Sequence, residues 1–282
     1  MRLLHGRPLA ERLAARSHER SDVLHGRGIE PTLAAISVGI DPAANTYLQR
    51  LLRGGKTLGI TVRDVSLNRD ATEQTVAAEL DRASRDGKIH GVLLLTPLPG
   101  KLDEGHLVDR IAPQKDVEGL NPYNVGLLLD GRPRFVPSTA EAIVELLKFH
   151  EVPLRGANVV VIGRSTVVGR PAAALLLNED ATVTVAHKRT SDIAGLTRRA
   201  AVVVVAVGRA GFLTGEMIAP GATVIDAGIN VTPAGIAGDV DADSVAAVAG
   251  ALSPVPGGVG TVTTALLLRN VLTAAEAQTA VG

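Results

Sequence analysis

Apolar positions along the chain alternate between helical spacing and short β-branched runs. A helical pattern runs from about Pro8 to Leu24, and after Gly26 and Gly28 residues 32–38, TLAAISV, read as a strand. A helix over about Ala43–Leu52 follows the loop Ile40-Asp41-Pro42, with fraying expected at Gly54-Gly55, since each glycine costs a helix interior about 1 kcal/mol. Next come a strand Ile60–Ser66, a helix Thr72–Arg85, and a strand Gly91–Leu95 stopped by Thr96-Pro97-Leu98-Pro99. A short helix over about Glu104–Ile111 leads into loop residues 113–124, where we place a domain boundary. A connecting helix Thr139–His150 precedes strand Val159–Ile162, helix Ala172–Leu177, and strands Ala181–Ala186, Val202–Val207 and Thr223–Ala227. A last helix ends near Ala277. Strands alternating with helices in this way predict α/β architecture with parallel sheets.

Composition narrows the class. The 282 residues suffice for two ordinary domains, and 46% hydrophobic residues spread throughout make a globular chain. Aromatic residues are only 2%, so Ala, Val, Leu and Ile build the cores. Zero formal net charge without a basic block argues against nucleic acid as a partner. The absence of cysteine excludes a disulfide framework and a thiol nucleophile. Histidines 5, 18, 25, 90, 106 and 150 show no ligand spacing, so no metal site is expected. No apolar run reaches the roughly 20 residues of a membrane span, and no signal-peptide pattern opens the chain, so a cytoplasmic location is expected.

The candidate chemistry centres on residues 159–171, VVVIGRSTVVGRP. A strand ending at Gly163, a turn holding Arg164, Ser165 and Gly169, and a helix start at Pro171 together form an anion site, because amides and the helix dipole converge there. The spacing Gly-x-Ser-x-x-x-Gly is also compatible with an ordinary strand-to-helix turn. After the next strand, where an NAD site carries an acidic residue, stand His187, Lys188 and Arg189. They favour the 2′-phosphate of NADP, or else are three solvated polar residues. Gly208 and Gly228-Ile229-Asn230 close later strands, at positions where open parallel sheets hold ligands. Residues 253–263, SPVPGGVGTVT, read as a rigid ligand wall or as a plain connector.

These motifs resemble the bifunctional methylenetetrahydrofolate dehydrogenase/methenyltetrahydrofolate cyclohydrolase family over nearly the whole chain. The carriers are residues 38–43 with Tyr47, Pro97-Leu98-Pro99, Lys115-Asp116-Val117-Glu118-Gly119 with residues 121–124, Gly163-Arg164-Ser165, Gly228-Ile229-Asn230, and residues 254–260. The resemblance implies a three-layer parallel-sheet folate domain, here 1–120 and 256–282. It also implies a Rossmann-like NADP-binding domain, here 121–255, with a cleft between the two, and a homodimer. Tyr47, Glu118, Pro256, Gly257, Gly258 and Thr263 are the implied folate contacts. Gly163, Arg164, Ser165, His187, Lys188, Arg189, Gly208 and Ile229 are the cofactor contacts. Tyr47 has the alternative of covering a hydrophobic face, Glu118 of pairing with Lys115, and Thr263 of merely opening a helix. Asp116 reads as a structural turn residue.

The departures are chemical. Where the family places a lysine four residues after its tyrosine, this chain has Leu51, and where it places a glutamine before the proline turn, it has Leu95. Glu118 replaces an aspartate, and Lys56, nine residues past Tyr47, lies on another helix face. Leu51 and Leu95 thus occupy catalytic positions without offering a proton. The expectation is oxidation of methylenetetrahydrofolate by NADP with cyclohydrolase activity absent or strongly impaired. The alternatives are a paralogue recruited to another one-carbon or reduced-pterin reaction, and a non-catalytic folate- and NADP-binding protein.

Overall fold

The computed structural model describes residues 1–39, 41–100, 102–233 and 235–280, with the side chain of Ala43 left aside. Ile40, in the expected loop before the second helix, lies outside these residues. In chain order the strands and helices are β1 (Arg2–Leu3), α1 (Arg7–Gly26), β2 (Thr32–Val38), α2 (Pro42–Leu58), β3 (Thr61–Leu67), α3 (Glu73–Arg85), β4 (Gly91–Leu94), α4 (Glu104–Val108), α5 (Pro122–Leu129), α6 (Ser138–Phe149), β5 (Asn158–Ile162), α7 (Gly169–Asn178), β6 (Thr182–Ala186), α8 (Ile193–Thr197), β7 (Val202–Val205), β8 (Thr223–Asp226), β9 (Asn230–Thr232), β10 (Gly235–Ala237), α9 (Ala242–Ala246), β11 (Ala251–Leu252) and α10 (Thr263–Thr279). The α/β class is as expected, with parallel main sheets.

The chain packs as two compact units, residues 12–136 with 264–282, and residues 1–11 with 137–263. We call them the β2 unit and the β5 unit. This division differs from the sequence-based one, which set breaks after residues 120 and 255. Residues 121–136 stay with the β2 unit because Asn121 donates its backbone N–H to Asp116 (2.8 Å) and its side-chain amide to Ile111 O (3.1 Å). Phe135 adds its ring to that unit's apolar core. The expected loop over 113–124 becomes helical from Pro122, capped by Asn121, whose side chain accepts the Tyr123 N–H.

The first residues join the β5 unit because β1 pairs parallel with β11 and Gly6 N donates to Gly257 O (2.8 Å). The latter bond also holds residues 256–263 in the β5 unit. The rest of α10 is bound to the β2 unit. Arg20 reaches Glu276 through two nitrogens, at 2.9 and 2.7 Å, and Asn270 Nδ2 donates to Val117 O (2.9 Å).

In the β2 unit the strand order is β3-β2-β4. Every residue of β2 is buried, since helices cover both faces of a central parallel strand. β3, at the edge, is polar and partly exposed. α2 runs unbroken through Gly54 and Gly55, against the expectation of fraying. A Cβ on Gly54 would stand 2.9 Å from Leu268 Cδ1, and one on Gly55 2.6 Å from Val62 Cγ2 and 2.8 Å from Ile60 O. The glycines let α2 approach its neighbours, and that packing outweighs their helix cost.

In the β5 unit the order is β1-β11-β8-β7-β5-β6. From β5 the chain adds β6 on one side and β7 on the other, so the order reverses between β5 and β7. Such a switch point, beyond the carboxyl ends of the strands, is where open parallel sheets bind ligands. Among the described residues no helix is long and apolar enough to cross a membrane.

Candidate active site

At the switch point β5 ends in Gly163, with φ 128°, and a Cβ there would overlap Ala206 O at the end of β7. A Cβ on Gly169 would overlap Gly163 O. Both positions therefore require glycine, and they bring the start of α7 down onto the strand end. The amides expected to face an anion are partly committed within the protein. Ser165 Oγ accepts from Val168 N (3.1 Å) and Gly169 N (3.4 Å), and Ser165 O accepts from Arg170 N (3.1 Å). Ser165 is thus a turn-former as well as a site candidate. Arg164 is exposed beside it.

After β6, His187 N donates to Thr190 Oγ1 (3.0 Å), Thr190 N to His187 O (2.7 Å), and Arg189 N to His187 Nδ1 (3.3 Å). The imidazole is therefore folded back to build the turn. Lys188 and Arg189 stand exposed at its tip, cations available to an anionic ligand, as is Arg164 in the turn after β5.

Beyond β7 and β8 the structure shows two carboxylates to which the sequence reading assigned no role. Asp226, at the end of β8, is 2% exposed, and Asp239 is fully buried. The signals were a charged residue closing an otherwise apolar strand and an aspartate directly after a glycine. Gly208, with φ 67°, and Ile229, 64% exposed, flank this region, and Ile229 Cδ1 lies near Gly260. In the proline and glycine segment, Thr261 Oγ1 donates to Gly258 O (2.6 Å) and Thr263 Oγ1 to Gly260 O (3.3 Å). Pro256 is exposed, and Gly257 is partly so. Expected in the folate domain, residues 256–263 instead pack within the β5 unit.

In the β2 unit, Tyr47, Leu51 and Leu95 do come together. Leu51 (0% exposed) and Leu95 (4%) share one apolar cluster with Leu48, Val117, Leu267 and Leu268, and the Tyr47 ring packs against it. The Tyr47 hydroxyl is buried. Residues 115–117 run alongside β4, with Val92 N donating to Lys115 O (2.7 Å) and a parallel bridge between Val92 and Asp116. Glu118 follows directly and is half-buried. Lys115 directs its ammonium at Asp86 O (2.8 Å). Asp116 is buried, and burial pushes its carboxyl above the ordinary 3.8, countered by donation from Asn124, Asn121, Leu120 and Gly119. Its carboxylate accepts from Asn121 N and Asn124 Nδ2, both at 2.8 Å, and so braces the turn that the sequence suggested.

Residues 137–279 match tetrahydrofolate dehydrogenase/cyclohydrolase, NAD(P)-binding domain, and residues 4–118 match tetrahydrofolate dehydrogenase/cyclohydrolase, catalytic domain. The chain belongs to the tetrahydrofolate dehydrogenase/cyclohydrolase family. It is 46% identical over 282 residues to the bifunctional protein FolD of Roseiflexus sp. (99% of this chain, 97% of that one). It is 48% identical over 274 residues to that of Nocardia farcinica (97% of each chain). Among solved structures, the bifunctional FolD of Campylobacter jejuni superposes with a TM-score of 0.96 at 38% identity, covering 98% of this chain and 99% of that one. The Trypanosoma brucei enzyme, complexed with NADP cofactor and inhibitor, gives 0.93 at 36%, covering 98% and 97%.

In family terms, most of the β5 unit is the NAD(P)-binding domain, and the residues before α5 in the β2 unit match the catalytic domain. The donor set of the β5 unit fits a dinucleotide. A glycine cradle at the switch point admits no Cβ, two exposed cations follow β6, and an exposed apolar side chain, Ile229, follows β8. Gly163, Lys188, Arg189, Gly208 and Ile229 all lie in the turns and segments that follow β5, β6, β7 and β8.

Proposed function

We propose that this protein oxidises 5,10-methylenetetrahydrofolate to the 5,10-methenyl compound with NADP, and that it hydrolyses the product weakly or not at all. The observation carrying this reading is Leu51, with no exposed surface, in one apolar cluster with Leu95, at the two positions where the family resemblance expects lysine and glutamine. Bound NADP would supply the hydride acceptor. Its choice over NAD is supported by Lys188 and Arg189, exposed where an NAD site carries an acid, and by the NADP complex of the Trypanosoma brucei relative.

The chain's own contribution to oxidation is orientation. Tyr47, packed on the apolar cluster, offers a ring surface, and Glu118, fixed next to the β4 bridge, offers a carboxylate to the folate's ring system. The cation formed on oxidation is stabilised by the folate's own nitrogens, so no side chain need move a proton in that step. Opening the cation with water is different, since protons must move as the water adds. Positioned acid–base groups contribute about 10²–10⁴-fold to such steps. Leu51 and Leu95, with aliphatic side chains, contribute none.

Mixing the protein with methylenetetrahydrofolate and NADP is expected to accumulate NADPH and the methenyl compound in equal amounts. Decay of the methenyl absorbance faster than without protein would overturn the hydrolytic half. Formation of neither product would overturn the dehydrogenase half. A Leu51→Lys, Leu95→Gln double variant is expected to gain hydrolysis if the scaffold holds folate in the family's pose. The resemblance extends to a homodimer, for which sedimentation is the direct check.

A further inference from the structure

We propose that Asp239, itself held by Asp226, is a positioning residue that shapes the dinucleotide site by filling the backbone nest after β7 from inside the protein. The inference rests on the reading of the β5 unit as the NADP-binding one. The three consecutive N–H groups of Val207, Gly208 and Arg209 all point at the Asp239 carboxylate. Oδ2 accepts from Val207 (2.6 Å) and Gly208 (2.9 Å), and Oδ1 accepts from Arg209 (2.9 Å). A fourth donor, Asn230 Nδ2, reaches Oδ1 at 2.9 Å.

Successive amides turned one way form an anion-binding concavity, the kind of feature a dinucleotide site directs at phosphate. Here the protein's own carboxylate occupies it. The amides of this segment are thus withdrawn from the ligand, and its other side, with exposed Gly208 and Arg209, is the surface left to meet one.

Asp239 is held in turn. Its backbone N–H donates to Asp226 Oδ1 (3.0 Å), Gly228 N to the same oxygen (2.9 Å), and Val240 N to Asp226 Oδ2 (3.0 Å). Asp226 N donates to Ser253 Oγ (2.8 Å), just before the proline and glycine segment. One network therefore ties together the carboxyl ends of β7, β8 and β11. The glycines beside it are specific to it, because a Cβ on Gly228 would overlap Asp239 and a Cβ on Gly238 would overlap Asp226. Burying carboxylates is costly unless their oxygens are supplied with donors, and seven N–H groups, four to Asp239 and three to Asp226, do so here. A scaffold needing only stability would do as well with apolar residues. A loop that must hold one shape for a ligand would not.

The test is calorimetric titration of NADPH into the intact protein and into the Asp239→Asn and Asn230→Ala variants, with Tm measured without dinucleotide. An amide at 239 turns donors toward donors, so Kd for NADPH is expected to rise about tenfold or more. Asn230→Ala leaves the three backbone donors in place and is expected to raise it about threefold. The KM for the folate substrate should stay within about twofold in both variants, a split that general loosening would not give. If Asp239→Asn does not fold, Asn230→Ala decides alone. Unchanged NADPH binding in the variants, or ligand constants that all move together with Tm, would overturn the inference. Failure of the unsubstituted protein to bind NADPH would instead overturn the reading of the β5 unit.

Discussion

Asn124 Nδ2 donates to Asp116 Oδ2 at 2.8 Å, with both side chains buried and a second bond from the same nitrogen to Pro113 O (2.9 Å). This pair fixes the segment that carries Glu118. Asn124→Ala would leave a buried carboxylate short of a donor, at a cost of about 1–3 kcal/mol. Urea unfolding is expected to show that loss, and the KM for the folate substrate to rise while that for NADP stays. An unchanged midpoint would show that the loop is held by other means.

The adjacent glycines of α2 should respond differently to alanine. At Gly54 the neighbour is the flexible end of Leu268, and the helix-propensity gain of about 1 kcal/mol offsets its displacement, so Gly54→Ala is expected to be near neutral. At Gly55 the added methyl meets the backbone oxygen of Ile60, which cannot yield, so Gly55→Ala is expected to lose about 1–3 kcal/mol. Thermal unfolding of both variants checks the contrast, and equal Tm values would contradict it.

Asp226 links stability to pH. Burial, with the neighbouring Asp239 charge, pushes its carboxyl above 3.8 in the folded state, against the pull of its backbone donors. The folded protein therefore binds this proton more tightly than the unfolded chain does. The resulting stabilisation is complete below 3.8 and is lost as pH rises through the raised value. Asp226→Asn should remove this component, so a plot of Tm against pH should fall less steeply above 3.8 than that of the unsubstituted protein. Parallel curves would mean that the carboxyl titrates alike in both states.

Cofactor choice should reside in the tip of the turn after β6. Replacing Lys188 and Arg189 together by alanine removes the two exposed cations while leaving the His187–Thr190 turn bonds intact. NADP affinity is expected to fall about ten- to a hundredfold, with NAD affinity nearly unchanged, and added salt should shrink the difference. Equal losses for both dinucleotides would move the discrimination elsewhere.

The alternation of buried strands and amphipathic helices was legible in residue order, because a period near 3.6, a short β-branched run and a proline or glycine stop are local properties. The glycine turn at Gly163, the cations after β6 and the leucines at 51 and 95 were likewise visible without coordinates. Tertiary structure alone decided the continuity of α2, since it depends on how closely Leu268 and Ile60 approach Gly54 and Gly55. It also decided the membership of residues 121–136, through the bonds of Asn121 to Asp116 and Ile111 and the packing of Phe135, and of residues 256–263, through a bond from Gly6, far away in sequence. Above all it revealed the Asp226 and Asp239 network. A carboxylate becomes a scaffold element only when distant backbone donors converge on it, and no spacing in a linear chain records that convergence.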